Sequence, residues 1–171
     1  MGQKLKIARA SPQNAFAIAM VHISAWRGAY RDLMGDEILN ALDTGVRAKA
    51  WGEILSNETW PCYMVLNNNK TVGFIHISAC RDPDKAMGRT GEVTASYIHP
   101  DHWRNGYGSL LLKRGLLALH DRGFSTVTLW VLDGNVPARK FYERHAFVPD
   151  GKKKVHPTSK LEEVRYINSV S

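Results

Sequence analysis

The chain has 171 residues, 44% hydrophobic and 23% charged, the make-up of one soluble domain spanning residues 1–171, which excludes a disordered tail, a coiled coil or a collagen-like repeat. Lys and Arg outnumber Asp and Glu by 23 to 16, a formal net charge of +7, so the mean field attracts anions such as phosphates without saying whose phosphates they are. No run reaches the roughly 20 apolar residues of a membrane span, and Met1–Arg9 alternates Lys with apolar residues where a leader would place an apolar block. A cytoplasmic location and no membrane partner are therefore expected.

In chain order, Lys4–Arg9 alternates with period two and predicts a strand. Ser11 and Pro12 then open a helix running to about Arg27, with Phe16, Ala19, Met20 and Ile23 as its buried stripe. A weaker helical stretch covers Asp36 to about Leu55, with a break near Thr44-Gly45. Cys62–Leu66, the polar turn Asn67–Lys70 and Thr71–Ala79 form a hairpin. A polar loop with Asp82, Pro83, Asp84 and Gly88 follows, then the β-branched and aromatic run Glu92–Ile98, a strong strand ended by His99-Pro100-Asp101. A leucine-rich helix starts at Gly106 or Gly108 and closes at Asp121-Arg122-Gly123. Ser125–Leu132 is a strand, Asp133-Gly134-Asn135 a turn, and Pro137 opens a helix to about His145. A basic loop, Lys152-Lys153-Lys154, precedes a last strand, Leu161–Ile167. There is no repeat and no linker-like break in composition, so the expectation is a mixed α/β domain, α+β-like, around one sheet.

Two stretches carry chemistry. In His99–Ser109, Gly106-Tyr107-Gly108-Ser109 stands between a strand and an amphipathic helix. A glycine turn there leaves backbone N–H groups free and adds the positive end of the helix dipole, which suits a phosphate or pyrophosphate and equally suits a plain strand-to-helix turn. It lacks the Gly-Lys-Ser/Thr ending of a nucleotide P-loop, and Leu111 stands where a dinucleotide fingerprint needs a small residue. The second stretch is Trp130–Phe147, with Asn135-x-x-Ala138-x-x-Phe141-Tyr142 and a closing Phe147.

The two motifs in this order, one helix and one strand apart, resemble the GNAT superfamily of acetyl-CoA-dependent N-acetyltransferases, closely over residues 91 to 149. The resemblance implies one domain with a central, mostly antiparallel sheet flanked by helices. It implies acetyl-CoA as donor, with the pyrophosphate on the backbone of Arg104, Asn105, Gly106, Tyr107, Gly108 and Ser109. The pantetheine arm would lie along Tyr97 and Ile98, Asn135 would contact the cofactor, and Tyr142 would protonate the departing thiolate. Glu92, 14 residues before Gly106, matches a Glu that serves many members as general base. An ordinary strand-end carboxylate is the competing reading, and His99 and His102 are alternative bases. A backbone N–H near Ile98 would stabilise the oxyanion. Trp26 and Tyr30, at the end of the first helix, would wall the acceptor cleft or simply pack, as Trp51 and Trp60 are expected to. Three positions depart from the pattern: Trp103 replaces a usual Gln or Arg, Ala146 replaces a usual Gly, and Arg104-Asn105 replace Gly and Lys.

The implied reaction is acetyl transfer to a primary amine by direct attack, the acceptor being a small molecule or a protein N-terminus or lysine. A non-catalytic acetyl-CoA sensor is the alternative. Cys62 and Cys80 lie outside both motifs, too few for a disulfide framework, and are expected as reduced thiols. The remaining histidines, His22, His76, His120, His145 and His156, show no ligand spacing, so no metal is expected. No helix-turn-helix or aromatic-interleaved RNA motif appears, so no nucleic-acid partner is expected. The Lys152–Lys154 run is solvated surface, or else contacts an acidic substrate or the cofactor 3′-phosphate. Dimers are common among the proteins it resembles, which leaves a homodimer open.

Overall fold

The computed structural model describes residues 4–85 and 88–170. Met1–Gln3 of the stretch read for a leader, and Ala86-Met87 of the polar loop, lie outside them. Seven strands form one sheet in the order β1-β2-β3-β4-β5-β7-β6. They are β1 Leu5–Arg9, β2 Cys62–Asn67, β3 Lys70–Ala79, β4 Thr90–Ile98, β5 Thr126–Leu132, β6 Val148–Val155 and β7 Glu162–Ser169. Every pairing is antiparallel except β4 with β5. Parallel neighbours need a crossover, and α4 (Tyr107–His120) supplies it. The helices α1 (Ala15–Ala29), α2 (Asp36–Asn40), α3 (Thr44–Leu55) and α5 (Val136–Glu143) complete the domain.

The two faces of the sheet are packed differently. Leu111, Leu112 and Leu119 of α4 are fully buried against Ile75, Ile77, Val127 and Leu129. Gly115 of α4 lets the helix approach so closely that an added Cβ would lie 2.8 Å from Ile75. On the other face, Ile18, Ala19 and Val21 of α1 pack with Trp51 of α3 and Phe74 of β3. A second cluster, Trp26, Tyr30, Met34, Leu39 and Leu132, closes the end of that face nearer β5.

Three expectations need correction. The buried stripe of α1 holds only half of the residues expected: Ala19 and Ile23 are buried, but Phe16 and Met20 are 60% and 47% exposed, and Ile18 and Val21 are buried in their place. The helix lies between the sheet and α3, so it buries a broad band, and small or β-branched residues that fit a close approach outrank the larger Phe16. The weak helical stretch is broken as expected, but at residues 41–43 and not at Thr44-Gly45, with Asp43 capping α3 by accepting from Val46 N–H at 2.8 Å. The basic loop is β6, an edge strand. Its Lys residues and Pro149 mask a pattern that would otherwise alternate, and such residues are the ones that protect an open sheet edge.

One buried cation in this frame is tightly paired. The Arg165 guanidinium on β7, with a side chain only 2% exposed, donates to Asp150 (2.8 Å), Asp82 (3.0 Å) and Asp84 (2.6 and 2.7 Å), and Trp130 Nε1 also donates to Asp82. One cation thus ties the loop after β3 to β5, β6 and β7. Arg165→Met leaves three carboxylates facing one another and is expected to lower the unfolding free energy by about 3–5 kcal/mol in urea titrations; a loss below about 1 kcal/mol would mean the loop does not depend on it.

Elsewhere on the sheet face that α1 covers, Trp51 Nε1 donates to His22 Nδ1 at 3.0 Å. Burial first, and the nearby Arg47 charge second, push the His22 imidazole down from 6.5 to about 3. The folded chain therefore excludes a proton that the unfolded chain binds below pH 6.5. This contribution to stability is present above that value and is lost as pH falls from about 6.5 towards 3. Urea unfolding at pH 5 is expected to give a free energy about 2 kcal/mol below that at pH 7 from this group alone, and His22→Phe should remove that part of the slope.

Candidate active site

β4 and β5 run hydrogen-bonded only from Thr90–Val93 against Thr126–Leu129. At that point the β3/β4 register shifts, with Ile77 opposite Val93 but His76 opposite Ala95, so that Thr94 is an extra residue. A bulge bends its strand and increases the local twist, and β4 beyond it follows β3 away from β5. The gap between residues 94–98 and 130–132 opens into a cavity of about 850 Å³.

The edge facing that gap carries unpaired backbone. His99 N–H donates to Val72 C=O at 2.8 Å. Amide direction alternates along a strand, so Tyr97 pairs with β3 while the backbone of Ser96 and Ile98 points into the gap. Ile98 C=O is taken by the Trp103 indole N–H at 2.7 Å; Ile98 N–H faces the cavity. Tyr97 reaches the cavity with its side chain, stacked on His22 at 4.6 Å, and Ile98 with its backbone.

The glycine turn meets the same cavity. Arg104 and Gly106 both adopt left-handed φ, +62° and +78°, and Gly106 is the N-cap residue of α4, its carbonyl accepting from Leu110 N–H at 3.2 Å. No side chain among the described residues caps this end, so the N–H groups of Tyr107, Gly108 and Ser109 are available at the positive end of a 14-residue helix. Gly108 also passes under α5, where a Cβ would lie 3.3 Å from Phe141. His145 fastens the two helices, with Nδ1 on Phe141 C=O at 2.8 Å and Nε2 on Ser109 Oγ at 3.0 Å. A carbonyl only accepts, so in the neutral ring Nδ1 carries the hydrogen and Ser109 O–H donates to Nε2. Arg104, Gly106, Tyr107, Gly108 and Ser109 all line the cavity. Asn105 does not; its amide donates to Trp103 C=O at 3.3 Å and stabilises the turn.

α5 brings in Asn135 and Tyr142. Asn135 accepts from Ala138 N–H at 3.2 Å, capping the helix, and also bonds Tyr30. Tyr142, Tyr97 and Tyr30 gather where the strands part. Burial raises the Tyr142 phenol well above its ordinary value, with Tyr97 adding to the rise and a bond with Ser96 opposing it. Burial likewise raises Tyr97 and Tyr30. All three stay protonated at neutral pH, and a protonated phenol is a proton donor. Trp26 and Tyr30 are both buried and both line the cavity, so packing and lining are not alternatives here. His102 lines the cavity too; His99 instead accepts from Asp101 N–H at 3.3 Å.

The carboxylates are distributed differently from the sequence expectation. Glu92 is 2% exposed and lies outside the cavity lining. Its two oxygens accept from Arg81 Nη2 (2.7 Å), Arg81 Nε (3.1 Å) and Arg81 N–H (3.1 Å). That is the setting of a strand carboxylate anchoring the loop that precedes its strand, and spacing from the glycine turn does not reveal the arginine. Glu163, which the sequence reading passed over, lines the cavity opposite Leu132 of β5. Burial raises its carboxyl above the ordinary value, and Lys154, 3.8 Å away, offsets this in part. A signal was present: Glu163 and Arg165 alternate with apolar Val164 and Tyr166 in a strand buried on both faces.

The Acetyltransferase (GNAT) family profile matches residues 25–147, a span that holds the parted strands, the glycine turn and α5. The chain belongs to the GNAT family. It is 28% identical over 130 residues to the N-acetyltransferase YuaI of Bacillus subtilis, covering 75% of this chain and 72% of that one. It is 26% identical over 153 residues to the protein named Probable N-acetyltransferase Rv2775 of Mycobacterium tuberculosis, covering 86% and 82%. Among solved structures, the PaiA N-acetyltransferase of Thermoplasma acidophilum in complex with coenzyme A superposes with a TM-score of 0.74 at 16% identity, covering 97% of this chain and 99% of that one. At that identity the likeness is one of fold.

Of the departures from the GNAT pattern, Trp103 is explained by its bond to Ile98. Gly28 of α1 makes room beneath it, since a Cβ there would come within 2.7 Å of Pro100 and 3.1 Å of the indole. Ala146 adopts φ +63°, with its N–H on Glu143 C=O at 3.2 Å. Alanine in the left-handed region costs about 1–2 kcal/mol, against about 0.4–1 kcal/mol of added chain entropy for glycine. Ala146→Gly is therefore expected to stabilise the fold by about 0.5–1 kcal/mol and raise Tm by about 2 °C, measured by calorimetry; a lower Tm would show the helix end to be unstrained.

Proposed function

We propose that the protein transfers the acetyl group of acetyl-CoA to a primary amine by direct attack within a ternary complex. The observation that carries this reading is the parted pair β4/β5, with free backbone groups along one edge, an uncapped helix N-terminus at one end and a buried phenol at the junction. An extended pantetheine arm lies along the open edge of β4 and pairs with the Ser96 backbone as an added strand would. The pyrophosphate lies on the N–H groups of Tyr107, Gly108 and Ser109, where Gly106 presents no Cβ.

The thioester carbonyl then meets Ile98 N–H, a fixed donor aimed at the developing oxyanion. As the amine nitrogen bonds to the carbonyl carbon and the C–S bond breaks, one proton must leave nitrogen and one must reach sulfur. Tyr142 donates to sulfur, because burial keeps its proton in place until the thiolate forms. Asn135 acts through α5 and Tyr30, setting the helix that carries the phenol. A covalent acyl-cysteine route has no support: burial pushes the Cys62 thiol up to about 12 and raises that of Cys80.

Calorimetric titration is expected to give saturable binding of acetyl-CoA and none of ATP, with dephospho-CoA reporting the share of the 3′-phosphate. Tyr142→Phe is expected to lower kcat roughly 10²- to 10⁴-fold while leaving the acetyl-CoA Kd within about a factor of two. Absence of acetyl-CoA binding by folded protein would overturn the reading, equal loss of binding and turnover would remove Tyr142 as the acid, and binding without thiol release across an amine panel would point to a sensor.

A further inference from the structure

Beyond the cofactor half, the cavity continues between the end of α1, β5 and β7, where Trp26, Tyr30, Trp130, His156 and Glu163 line it. Glu163 is 9% exposed, yet among the described residues its carboxylate makes no hydrogen bond within 3.5 Å. Its ion pair with Lys154 is loose, 3.8 Å, longer than a hydrogen bond. A carboxylate at the cavity wall with no donor from the protein gains from a ligand that supplies N–H donors. The contrast with Glu92, which accepts three hydrogen bonds from Arg81, is direct.

The surroundings are cationic. Lys154 from β6 lies over the Trp130 ring, 4.2 Å from its centroid, and Arg47 from α3 lies 5.7 Å from the centre of Trp26. Both charges bear on His156, whose imidazole is held below its ordinary value first by burial and then by these two cations. His156 Nδ1 accepts from Ser159 N–H at 3.1 Å, so the neutral ring carries its hydrogen on Nε2 as a donor. Its face meets Trp26 edge-on at 5.5 Å. One carboxylate therefore stands beside one cation, Lys154, with an imidazole donor on the same cavity wall. A polyamine, with several ammonium groups, would find one partner and a repulsive neighbour; a molecule with one ammonium and one acid group finds a partner for each.

We propose that this end of the cavity binds a small amino acid, its ammonium on Glu163 and its acid group on Lys154, with the aromatic side chains as walls. The inference rests on the acetyl-transfer reading and names its acceptor class. Inserting a zwitterion exchanges one loose ion pair for two close ones. Glu163 takes one proton from the ammonium and frees the nitrogen lone pair. Attack forms the N–C bond and breaks the C–S bond, and Tyr142 gives its proton to sulfur and regains one from nitrogen. Glu163 then releases its proton to water. The groups that set the Glu163 proton affinity are Lys154 on β6 and Glu92 on β4, and the Glu163 charge is in turn felt by Tyr97.

The test is a thiol-release assay of the full chain with acetyl-CoA and a panel of L-amino acids, their methyl esters, the matching decarboxylated amines and spermidine. At least one amino acid is expected to be acetylated, with kcat/KM roughly 30-fold or more above its ester and its decarboxylated amine. Glu163→Gln, nearly isosteric, should lower kcat roughly 100-fold with acetyl-CoA binding retained by calorimetry. Lys154→Met, at an exposed position, should raise KM for the amino acid roughly tenfold and abolish the preference over the ester. Preference for spermidine or the decarboxylated amines, no amino acid consumed by protein that binds acetyl-CoA, or full activity in Glu163→Gln would each overturn the proposal. Failure to bind acetyl-CoA at all would bring down the transfer reading itself, and the calorimetric arm separates the two failures.

Discussion

The site depends on two strands that stop pairing. A sheet normally satisfies every backbone group between neighbours, and an interior edge left open costs about as much as the hydrogen bonds it forgoes. Here the parallel pair β4/β5 is sacrificed beyond Val93 because β4, bulged at Thr94, keeps its antiparallel bonds to β3 instead. β5 remains fully paired with β7 over Thr126–Leu132. Both strands are thus held from their outer sides, and the gap is kept open without a spacer between them.

Rigidity on either side of the gap comes from different chemistry. On the α4 side it is apolar: Leu111, Leu112 and Leu119 are buried to zero exposure, and glycines let the helix and strands approach. On the other side it is partly ionic. Arg165 gathers three carboxylates and Arg81 holds Glu92 at the root of the gap, so the loop after β3 is fixed by charge where it has few apolar side chains to bury. Satisfying these charges within the fold leaves Glu163 as the exception that faces the cavity.

Much of this was legible in the sequence, for identifiable reasons. The strand Glu92–Ile98, the glycine turn and the helix from Pro137 announce themselves by residue type and order, and they carry the GNAT pattern. Tyr142, Asn135 and Ile98 line one cavity. What escaped depends on partners distant in sequence. Arg81 neutralising Glu92 and Lys154 approaching Glu163 are pairings that no local spacing encodes. The places of Phe16 and Met20 on α1 are not legible because a helix covered on two sides has no single apolar stripe, nor is β6, because an edge strand disguises itself with charge.

The indole of Trp103 has a consequence for direction. Along an open strand edge, donors and acceptors normally alternate, and an extended ligand can slide by a register or reverse and still find bonds. By occupying the Ile98 carbonyl from within the chain, Trp103 removes an acceptor from that edge and leaves the neighbouring N–H as a donor without competition. A ligand lying there must present an oxygen at that one point, which fixes its polarity and its register together. A residue that touches no reacting atom thereby sets which way round the molecule enters the gap.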